Sequence, residues 1–198
     1  MPLSSVVGAQ SIIKPGVCTS STRPAVPFEG QMIYETDTDV LAIWNGSAWR
    51  QLAAAAATSG SVLQVVQGTT VTEVLNSTST RADTGLTATI TPKSTTSKVL
   101  VSVNQVGCMK NTGNTQNAIE LFLMRGATDI QRVAQIGLYT DSNLQNRGTF
   151  SNTFLDSPAT TSAITYKTQF SNFSNSASVG VQVGNVGQST ITLQEIAG

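Results

Sequence analysis

The side chains that most often carry catalysis are either absent from this sequence or isolated within it. The 198 residues include no histidine, which excludes Ser–His–Asp and Cys–His catalysis. The two cysteines, Cys18 and Cys108, lie far apart in the chain, whereas zinc ligands come in close pairs. We therefore expect two free thiols, with Cys108 a small buried residue at a strand end, and no metal or other cofactor.

Carboxylates are the remaining candidates, and one group of them is close in sequence. Asp37 and Asp39 lie two residues apart, with Glu35 nearby. General acid–base or metal chemistry would require them to converge with others in a cleft. The segment TDTD is instead typical of a turn, because short Asp and Thr side chains bond to their own backbone. The other aspartates are scattered over predicted loops, including a predicted turn at Asp156-Ser157-Pro158; they are Asp83, Asp129, Asp141 and Asp156. The sequence thus predicts a protein that is not an enzyme, and a hydrolase using Asp and Glu is the last-ranked alternative.

The most aromatic stretch, residues 23–52, contains both tryptophans and predicts a three-stranded β-meander. Strands are predicted over 31–35, 40–44 and 47–52. Asn45-Gly46 predicts a type I′ hairpin turn, which needs positive φ at both central residues. A unit this small buries too little apolar surface to be stable alone, so we expect it to dock onto the rest of the chain, onto another copy of itself or onto a larger assembly. The residues expected at that attachment surface are Met32, Tyr34, Leu41, Ile43, Trp44 and Trp49.

The remaining chain divides into an arm, a linker and a larger β-domain. Residues 1–22 form an N-terminal arm that either frays or anchors the chain in an assembly. Residues 53–60 form an Ala/Ser/Gly linker. Residues 61–198 show no strong helix pattern and contain eight or nine predicted strands, which fits an all-β, two-sheet jelly roll. These strands are predicted over 62–67, 86–91, 98–106, 118–125, 130–138, 148–155, 162–170, 177–183 and 190–196.

The charge balance restricts the partners. Only 11% of the residues are charged and the formal net charge is zero, so the basic footprint of nucleic-acid binding is missing. No apolar run approaches the ~20 residues of a membrane-spanning helix, and the N-terminus lacks the basic region of a signal peptide. We expect neither nucleic-acid binding nor membrane insertion. Charge-poor sheets with open edges favour self-association, so we expect the chain to assemble with copies of itself.

Two predicted loops combine aromatic and polar residues, as glycan-binding loops do. One candidate contains Tyr139, Asp141 and Asn143, and the other contains Phe173 and Asn175. The alternative is that Tyr139, Phe170 and Phe173 are core or interface residues. Three sequons match the glycosylation pattern, but a chain rich in Ser, Thr and Asn produces such triplets by chance; they begin at Asn45, Asn76 and Asn172.

The meander resembles a module of tailed-bacteriophage virion proteins, in particular surface proteins of marine and cyanobacterial phages. The resemblance rests on Arg23-Pro24, on EGQMIYETDT from Glu29 to Thr38, and on WNGSAW from Trp44 to Trp49. In that family the module usually lies near the N-terminus, ahead of a β-rich domain. The resemblance implies attachment to a particle through this part of the chain.

The second domain resembles the C-terminal domain of marine phage structural proteins. The matching segments are Leu86–Pro92, Ser97–Leu100, Phe154–Tyr166 and Ser189–Ile196. This resemblance implies a jelly roll related to the trimeric tumour-necrosis-factor and complement-head domains. It also implies a homotrimeric virion-surface spike or short fibre, assembled in the host cytoplasm, that binds other virion proteins and a host-surface glycan. The alternatives are a capsid decoration or cement protein without a receptor role, and a free carbohydrate-binding module.

Overall fold

The computed structural model describes residues 15–52, 58–113, 115–174 and 177–198. These residues form fourteen β-strands and no helix, which confirms the all-β prediction. Within them no helix is long and apolar enough to cross a membrane. The chain divides into two compact units, Met1–Ala56 and Ala57–Gly198. Most of the predicted arm and linker, together with Asn175, lies outside the described residues.

The first unit contains a four-stranded sheet. Its strands are β1 (Gly16–Cys18), β2 (Met32–Glu35), β3 (Val40–Trp44) and β4 (Trp49–Gln51), in that order across the sheet. The strands β2 to β4 are the predicted antiparallel meander. The strand β1 pairs in parallel with β2 and was not predicted, because three residues are too few to show a periodicity.

The turn between β3 and β4 differs from the predicted type I′ hairpin. Trp44 pairs with Trp49, so the loop has four residues rather than two. Gly46 has a positive φ of 92°, whereas Asn45 is absent from the described non-glycine residues with positive φ. The Asn45 Oδ1 atom instead accepts hydrogen bonds from the Ser47 and Ala48 amides at 3.1 and 2.9 Å. Asn45 thus stabilises the loop through its side chain.

The second unit contains ten strands, of which eight are long. They are β5 (Val62–Thr70), β6 (Val74–Asn76), β7 (Ala82–Ile90), β8 (Lys98–Lys110), β9 (Ile119–Arg125), β10 (Thr128–Gly137), β11 (Asn146–Asp156), β12 (Ile164–Asn172), β13 (Val179–Val181) and β14 (Ser189–Ile196). Each predicted strand of this unit is present, with shifted ends. The short strand β6 was not predicted.

The order of these strands defines a jelly roll. One sheet, which we call sheet I, has the order β5-β14-β8-β11, with β13 and β6 continuing it beside the end of β8. The other, sheet II, has the order β7-β12-β9-β10. If only the eight long strands are counted, from 1 to 8 along the chain, their order is 1-8-3-6 in sheet I and 2-7-4-5 in sheet II. All their pairings are antiparallel, as expected for two Greek keys.

Alternating apolar side chains from the two sheets meet in two core clusters. Val99, Val101 and Val103 of β8 point inward, as their spacing predicts, and pack with Leu86, Ile90, Leu123, Tyr166, Ile191 and Leu193. The second cluster contains Cys108, Ile119, Leu121, Phe170, Val179 and Val181. Cys108 is thus a buried small residue, as expected, and burial raises the pKa of its thiol to about 12.

The strand directions give the jelly roll two distinct ends. The chain enters this unit at Ser61, where the Ser61 carbonyl accepts a hydrogen bond from Ala197 beside the start of β8; we call this the entry end. The opposite end, which we call the loop end, contains the end of β8 and the described segments 111–113, 115–118, 138–145, 173–174 and 177–178. The strand β8 has 13 residues, so the two ends are about 40 Å apart.

Candidate functional site

The acidic residues Glu35, Asp37 and Asp39 of the first unit are all engaged in hydrogen bonds within that unit. Glu35 is fully buried, and its carboxylate accepts hydrogen bonds from Arg23 Nε at 2.5 Å and Thr38 Oγ1 at 3.0 Å. The hydrogen bond from Arg23 holds the pKa of Glu35 below its usual value. Asp37 accepts hydrogen bonds from the amide and hydroxyl of Ser20. Asp39 accepts a hydrogen bond from Tyr34 at 2.7 Å.

These contacts connect the residues before β2 to the turn that follows it, and they leave no open acid pair. Asp37 and Asp39 form the turn that TDTD predicts, with Asp39 at a φ of 53°. Glu35 ends the strand before this turn, as predicted, and its side chain is buried inside the unit. Among the described residues there is no cluster of three acids, cysteines or histidines that could hold a metal ion.

The six predicted attachment residues lie on both faces of the small sheet. Met32 pairs with Ile43, and Tyr34 pairs with Leu41, so these four half-buried side chains share one face. The opposite face holds the buried Ile33 and Ala42 together with Glu35. By strand alternation Trp44 lies on that second face with its pair Trp49, and their rings meet edge to face at 5.6 Å.

The residues predicted to attach the chain therefore belong to two different surfaces of the small sheet. The two tryptophans contact each other and remain half-buried. Val17 pairs with Tyr34 and is 66% exposed, so it extends the aliphatic face of Met32, Tyr34, Leu41 and Ile43. That face has the wide apolar character expected of a docking surface.

Four of the five predicted recognition residues lie at the loop end. Tyr139, Asp141 and Asn143 come from the segment between β10 and β11, and Phe173 follows β12. The side chains of Tyr139 and Phe173 are 44% and 46% exposed, in contrast to Phe170, which is fully buried. Of these three aromatics only Phe170 is a core residue, and an interface role for Tyr139 and Phe173 stays a prediction.

The polar groups of this end are largely engaged with one another. Asn143 Oδ1 accepts a hydrogen bond from the Gly113 amide. A hydrogen bond with Asp141 raises the pKa of Tyr139. The Phe173 amide donates to the Ala118 carbonyl at 2.9 Å. The large apolar side chains that this end leaves exposed, among the described residues, are therefore Tyr139, Leu144 and Phe173.

A buried lysine that the sequence did not single out fixes one of these loops. Lys110, at the end of β8, is fully buried. Its ammonium group donates to the Ser142 carbonyl at 2.8 Å, to the Thr140 carbonyl at 3.4 Å and to the Thr140 hydroxyl. A buried ammonium is costly unless its donors are satisfied, so Lys110 and the loop residues 140–142 stabilise each other.

A buried carboxylate has the corresponding position at the entry end. Asp156 was assigned to a turn by its sequence, but it is the last residue of β11 and is 7% exposed. It accepts hydrogen bonds from Arg125 Nη1 at 2.9 Å and from the Tyr166 hydroxyl at 2.6 Å. Burial and the Asp156 carboxylate together raise the pKa of Tyr166. Arg125 also lines a surface groove of about 440 Å³, together with Gly126, Pro158, Thr160, Ala163, Ile164 and Thr165.

Comparison with known proteins adds little to this description. No family model matches the chain, and no curated protein matches it. Among solved structures, the chain is similar to "infectious bursal disease virus VP2 subviral particle", with 16% identity and a TM-score of 0.36 over 80% of this chain. The Gt strain of the same virus gives 12% identity and a TM-score of 0.36 over the same share of the chain. The chain spans about half the length of these proteins, 47% and 44%. Because the TM-scores are low, the assignment of a jelly roll is based on the strand order of this chain alone.

Proposed function

We propose that this chain is a non-enzymatic structural protein of a virus particle, specifically a homotrimeric surface spike or short fibre of a tailed phage. The first unit attaches it to other virion proteins, and the loop end of the jelly roll binds a host-surface glycan. The jelly-roll topology supports this proposal, because viral coat and lectin domains both use it. Residues 23–52 and 86–196 resemble motifs of phage virion proteins, and this resemblance supports the proposal that the chain is part of a virus particle.

One observation carries the division of labour between the two units. The loops with exposed aromatics lie about 40 Å along β8 from the end at which the chain enters the jelly roll. The loops are therefore at the end of the jelly roll opposite to the point where its chain enters. This is the arrangement that attachment at one end and recognition at the other require.

The chemistry of the loop end favours a neutral glycan as its ligand. Tyr139 and Phe173 are partly exposed aromatic residues, and sugar rings present apolar CH faces that pack on aromatic rings. The only charged residue in the described part of segment 138–145 is Asp141, and Asp141 is engaged with Tyr139. Such a surface gives weak single contacts, which three copies on one spike would strengthen by multivalency.

The first experiment tests attachment. Particles lacking this chain are mixed with the wild-type protein and with Leu41→Glu, Trp49→Ala and Glu29→Ala variants, and the retained protein is measured. Leu41→Glu places a charge on the aliphatic face, so we expect it to abolish retention. We expect Trp49→Ala to weaken retention and Glu29→Ala, on an exposed loop, to behave as wild type. Undiminished retention of both Leu41→Glu and Trp49→Ala would assign attachment to the jelly roll instead.

The second experiment tests recognition. A Tyr139→Ala/Phe173→Ala double variant is compared with Val186→Ala, whose side chain is 88% exposed on a different loop. Both proteins are assayed for binding to host cells and to a neutral-glycan array. We expect at least a tenfold loss of binding for the double variant alone. Retention on particles without any cell or glycan binding by the wild-type protein would instead support a decoration or cement protein.

A further inference from the structure

The two core clusters of the jelly roll lie at different levels along its strands. The first, which we call the entry cluster, contains Val103 of β8 and Tyr166 of β12. The second, which we call the loop-end cluster, contains Cys108 of β8 and Phe170 of β12. Among the described partly buried apolar residues, Val133 of β10 is the one that packs against both clusters. The apolar core is therefore nearly divided in two along the length of the sandwich.

A row of polar side chains separates the two clusters. Its members are fully buried and come from both sheets; they are Thr84 of β7, Gln105 of β8, Thr168 of β12, Gln182 after β13, and Ser189 of β14. We call this row the polar belt. On β8, Gln105 lies between Val103 and Cys108. Thr168 has the same place on β12, between that strand's members of the two clusters. The belt thus lies at the level of the strands where the apolar packing is interrupted.

Hydrogen bonds connect the polar belt from one sheet to the other. The Thr84 and Thr168 hydroxyls are 2.5 Å apart, and the Thr168 hydroxyl donates to Gln105 Oε1 at 2.8 Å. Gln105 Nε2 donates to the Ser189 hydroxyl at 3.2 Å, and that hydroxyl lies 2.9 Å from the side-chain amide of Gln182. Buried polar groups are costly unless they are paired. The belt is therefore a connected network whose members satisfy one another while the core is closed.

The backbones of two strands are irregular at the level of the polar belt. Gly107 of β8 has a φ of 60°, and the pairing of β8 with β11 shifts its register over 148–150. Gly85 of β7 has a φ of 80°, and the pairing of β7 with β12 shifts its register over 167–169. Bulges of this kind interrupt the ladder of hydrogen bonds and bend the strand. Regular strand pairing is thus interrupted at the same level as the apolar core.

Exposure of the polar belt costs less free energy than exposure of an apolar boundary would. Hydroxyl and amide groups that lose their protein partners can bond to water instead, whereas an apolar side chain loses its whole transfer free energy. If the loop-end cluster separates, the belt becomes the surface of the remaining half and the entry cluster stays covered. The loop-end cluster is also the smaller one, with seven buried residues against ten. A partial opening at this level is therefore the least costly way to expose part of the core.

We propose that the loop-end half of the jelly roll opens as a cooperative unit while the entry half stays folded, with the polar belt as the boundary between them. Contiguous units of a protein can open in this way at a free energy below that of global unfolding. The half that opens includes the segments that contain Tyr139 and Phe173, so its opening displaces both exposed aromatics together. A ligand that binds these loops in the closed state would also keep this half closed. The opening itself is a property of the jelly roll and does not depend on the proposed function.

Cys108 provides a native probe of this opening. It is fully buried in the loop-end cluster, and burial raises the pKa of its thiol to about 12, so it reacts with an aromatic disulfide reagent only after that cluster opens. The other cysteine, Cys18, is removed by Cys18→Ser in the full chain, which is the reference protein. Val179→Ala then creates a cavity in the loop-end cluster, and Val101→Ala creates a matched cavity in the entry cluster, since both valines are fully buried. Circular dichroism and urea denaturation check that each variant is folded.

We expect both variants to lower the urea midpoint, but only one of them to change the labelling of Cys108. Val179→Ala should accelerate labelling by about tenfold or more, because it weakens the half that opens. Val101→Ala should leave the labelling rate within about twofold of the reference, because the entry cluster stays folded during the partial opening. Equal acceleration by the two variants would mean that Cys108 is exposed only by global unfolding, and it would overturn the proposal.

Hydrogen exchange tests the same boundary without a core substitution. Amides over 119–121 of β9 and 170–172 of β12 lie in the loop-end half, so they should share one free energy of opening with a weak dependence on urea. Amides over 99–103 of β8 lie in the entry half and should exchange only through global unfolding, with the full dependence on urea. A single free energy and a single urea slope for all three segments would show that the jelly roll opens as one unit, which is the opposite of the proposal.

Discussion

Each unit of this chain buries one carboxylate beside an arginine, but the two carboxylates have different surroundings. Glu35 pairs with Arg23 at 2.5 Å in a unit whose described buried apolar residues are Ile33 and Ala42. Asp156 pairs with Arg125 at 2.9 Å beside a cluster of ten buried residues. In the first unit a polar contact is central to the fold, whereas in the second it supplements an apolar core that is large enough to fold.

This difference means that removing the equivalent group has unequal consequences. A small sheet with little apolar burial has only a narrow margin over its chain entropy. A jelly roll with two core clusters buries enough apolar surface to stay folded when one polar contact is lost. The chain offers a convenient way to observe this, because both tryptophans lie in the first unit and their fluorescence reports on that unit alone.

The largest effect is expected for Glu35→Ala. Without the carboxylate, Arg23 and Thr38 lose their common partner and the segment before β2 is no longer fixed to the sheet. We expect the first unit to lose its fold, with tryptophan emission shifted to that of the denatured protein, while the unfolding transition of the jelly roll is unchanged. Glu29→Ala is the control. Native emission in Glu35→Ala would show that the apolar face, not the ion pair, stabilises this unit.

Acid should separate the two units in the wild-type protein. The hydrogen bond from Arg23 lowers the pKa of Glu35 below 4.5, and hydrogen bonds from Ser20 lower the pKa of Asp37 below 3.8. A carboxylate with a lowered pKa contributes stability that is complete above its unfolded value and is lost as the pH falls through its folded value. We expect tryptophan emission to change below about pH 4, before the far-ultraviolet signal of the jelly roll. Simultaneous transitions would contradict this order.

A smaller effect is expected for Asp156→Ala in the jelly roll. The change leaves Arg125 without its carboxylate and the Tyr166 hydroxyl buried without an acceptor, which should lower the free energy of unfolding by about 3 kcal/mol. Asp129→Ala is the control, because its ion pair with Arg81 is on the surface and should be worth less than about 1 kcal/mol. Urea denaturation of both variants measures the difference. Equal losses would show that Asp156 acts as an ordinary surface residue.

Much of the fold could be predicted from local patterns, whereas the buried charges could not. Alternating valines over 99–103 predict both the strand and its inward face, and every long strand is recognisable in this way. Arg125 pairs with an aspartate 31 residues away, and Lys110 contacts a loop 30 residues away. No local sequence rule predicts contacts between residues so far apart in the chain, because these contacts depend on the register of the sheet.

Local turn rules failed for a related reason. Asn45-Gly46 is a strong hairpin signal, yet Trp44 pairs with Trp49 and the loop is longer than predicted. Asn45 then stabilises this loop by accepting hydrogen bonds through its side chain. Likewise, the acidic residues of β2 and the following turn look equivalent in sequence, but the alternation of β2 turns Glu35 inward. Among the predicted site residues, the exposed aromatics Tyr139 and Phe173 come from loops that sequence alone could identify, but it could not show that both loops lie at one end.

The smallest effect on global stability, and the most local one, is expected for Lys110→Met. A methionine keeps most of the volume of the buried stem but removes the three donors that hold the Thr140 and Ser142 oxygens. The loop carbonyls can turn to solvent, so the free energy of unfolding should fall by only about 1–2 kcal/mol. Hydrogen exchange should increase over residues 138–145 and remain at wild-type rates in β8 and β14.

The Lys110→Met variant also tests whether recognition depends on a fixed loop, because it changes the loop 138–145 without changing an exposed residue. If the aromatic platform needs a fixed loop, Lys110→Met should weaken cell and glycan binding while particle retention is unaffected. Lys98→Met, at the exposed start of the same strand, is the matched control and should change neither. Increased exchange with undiminished binding would show that the ligand orders the loop itself. Unchanged exchange would mean that the loop is held by Gly113 and Asn143 rather than by the buried ammonium group.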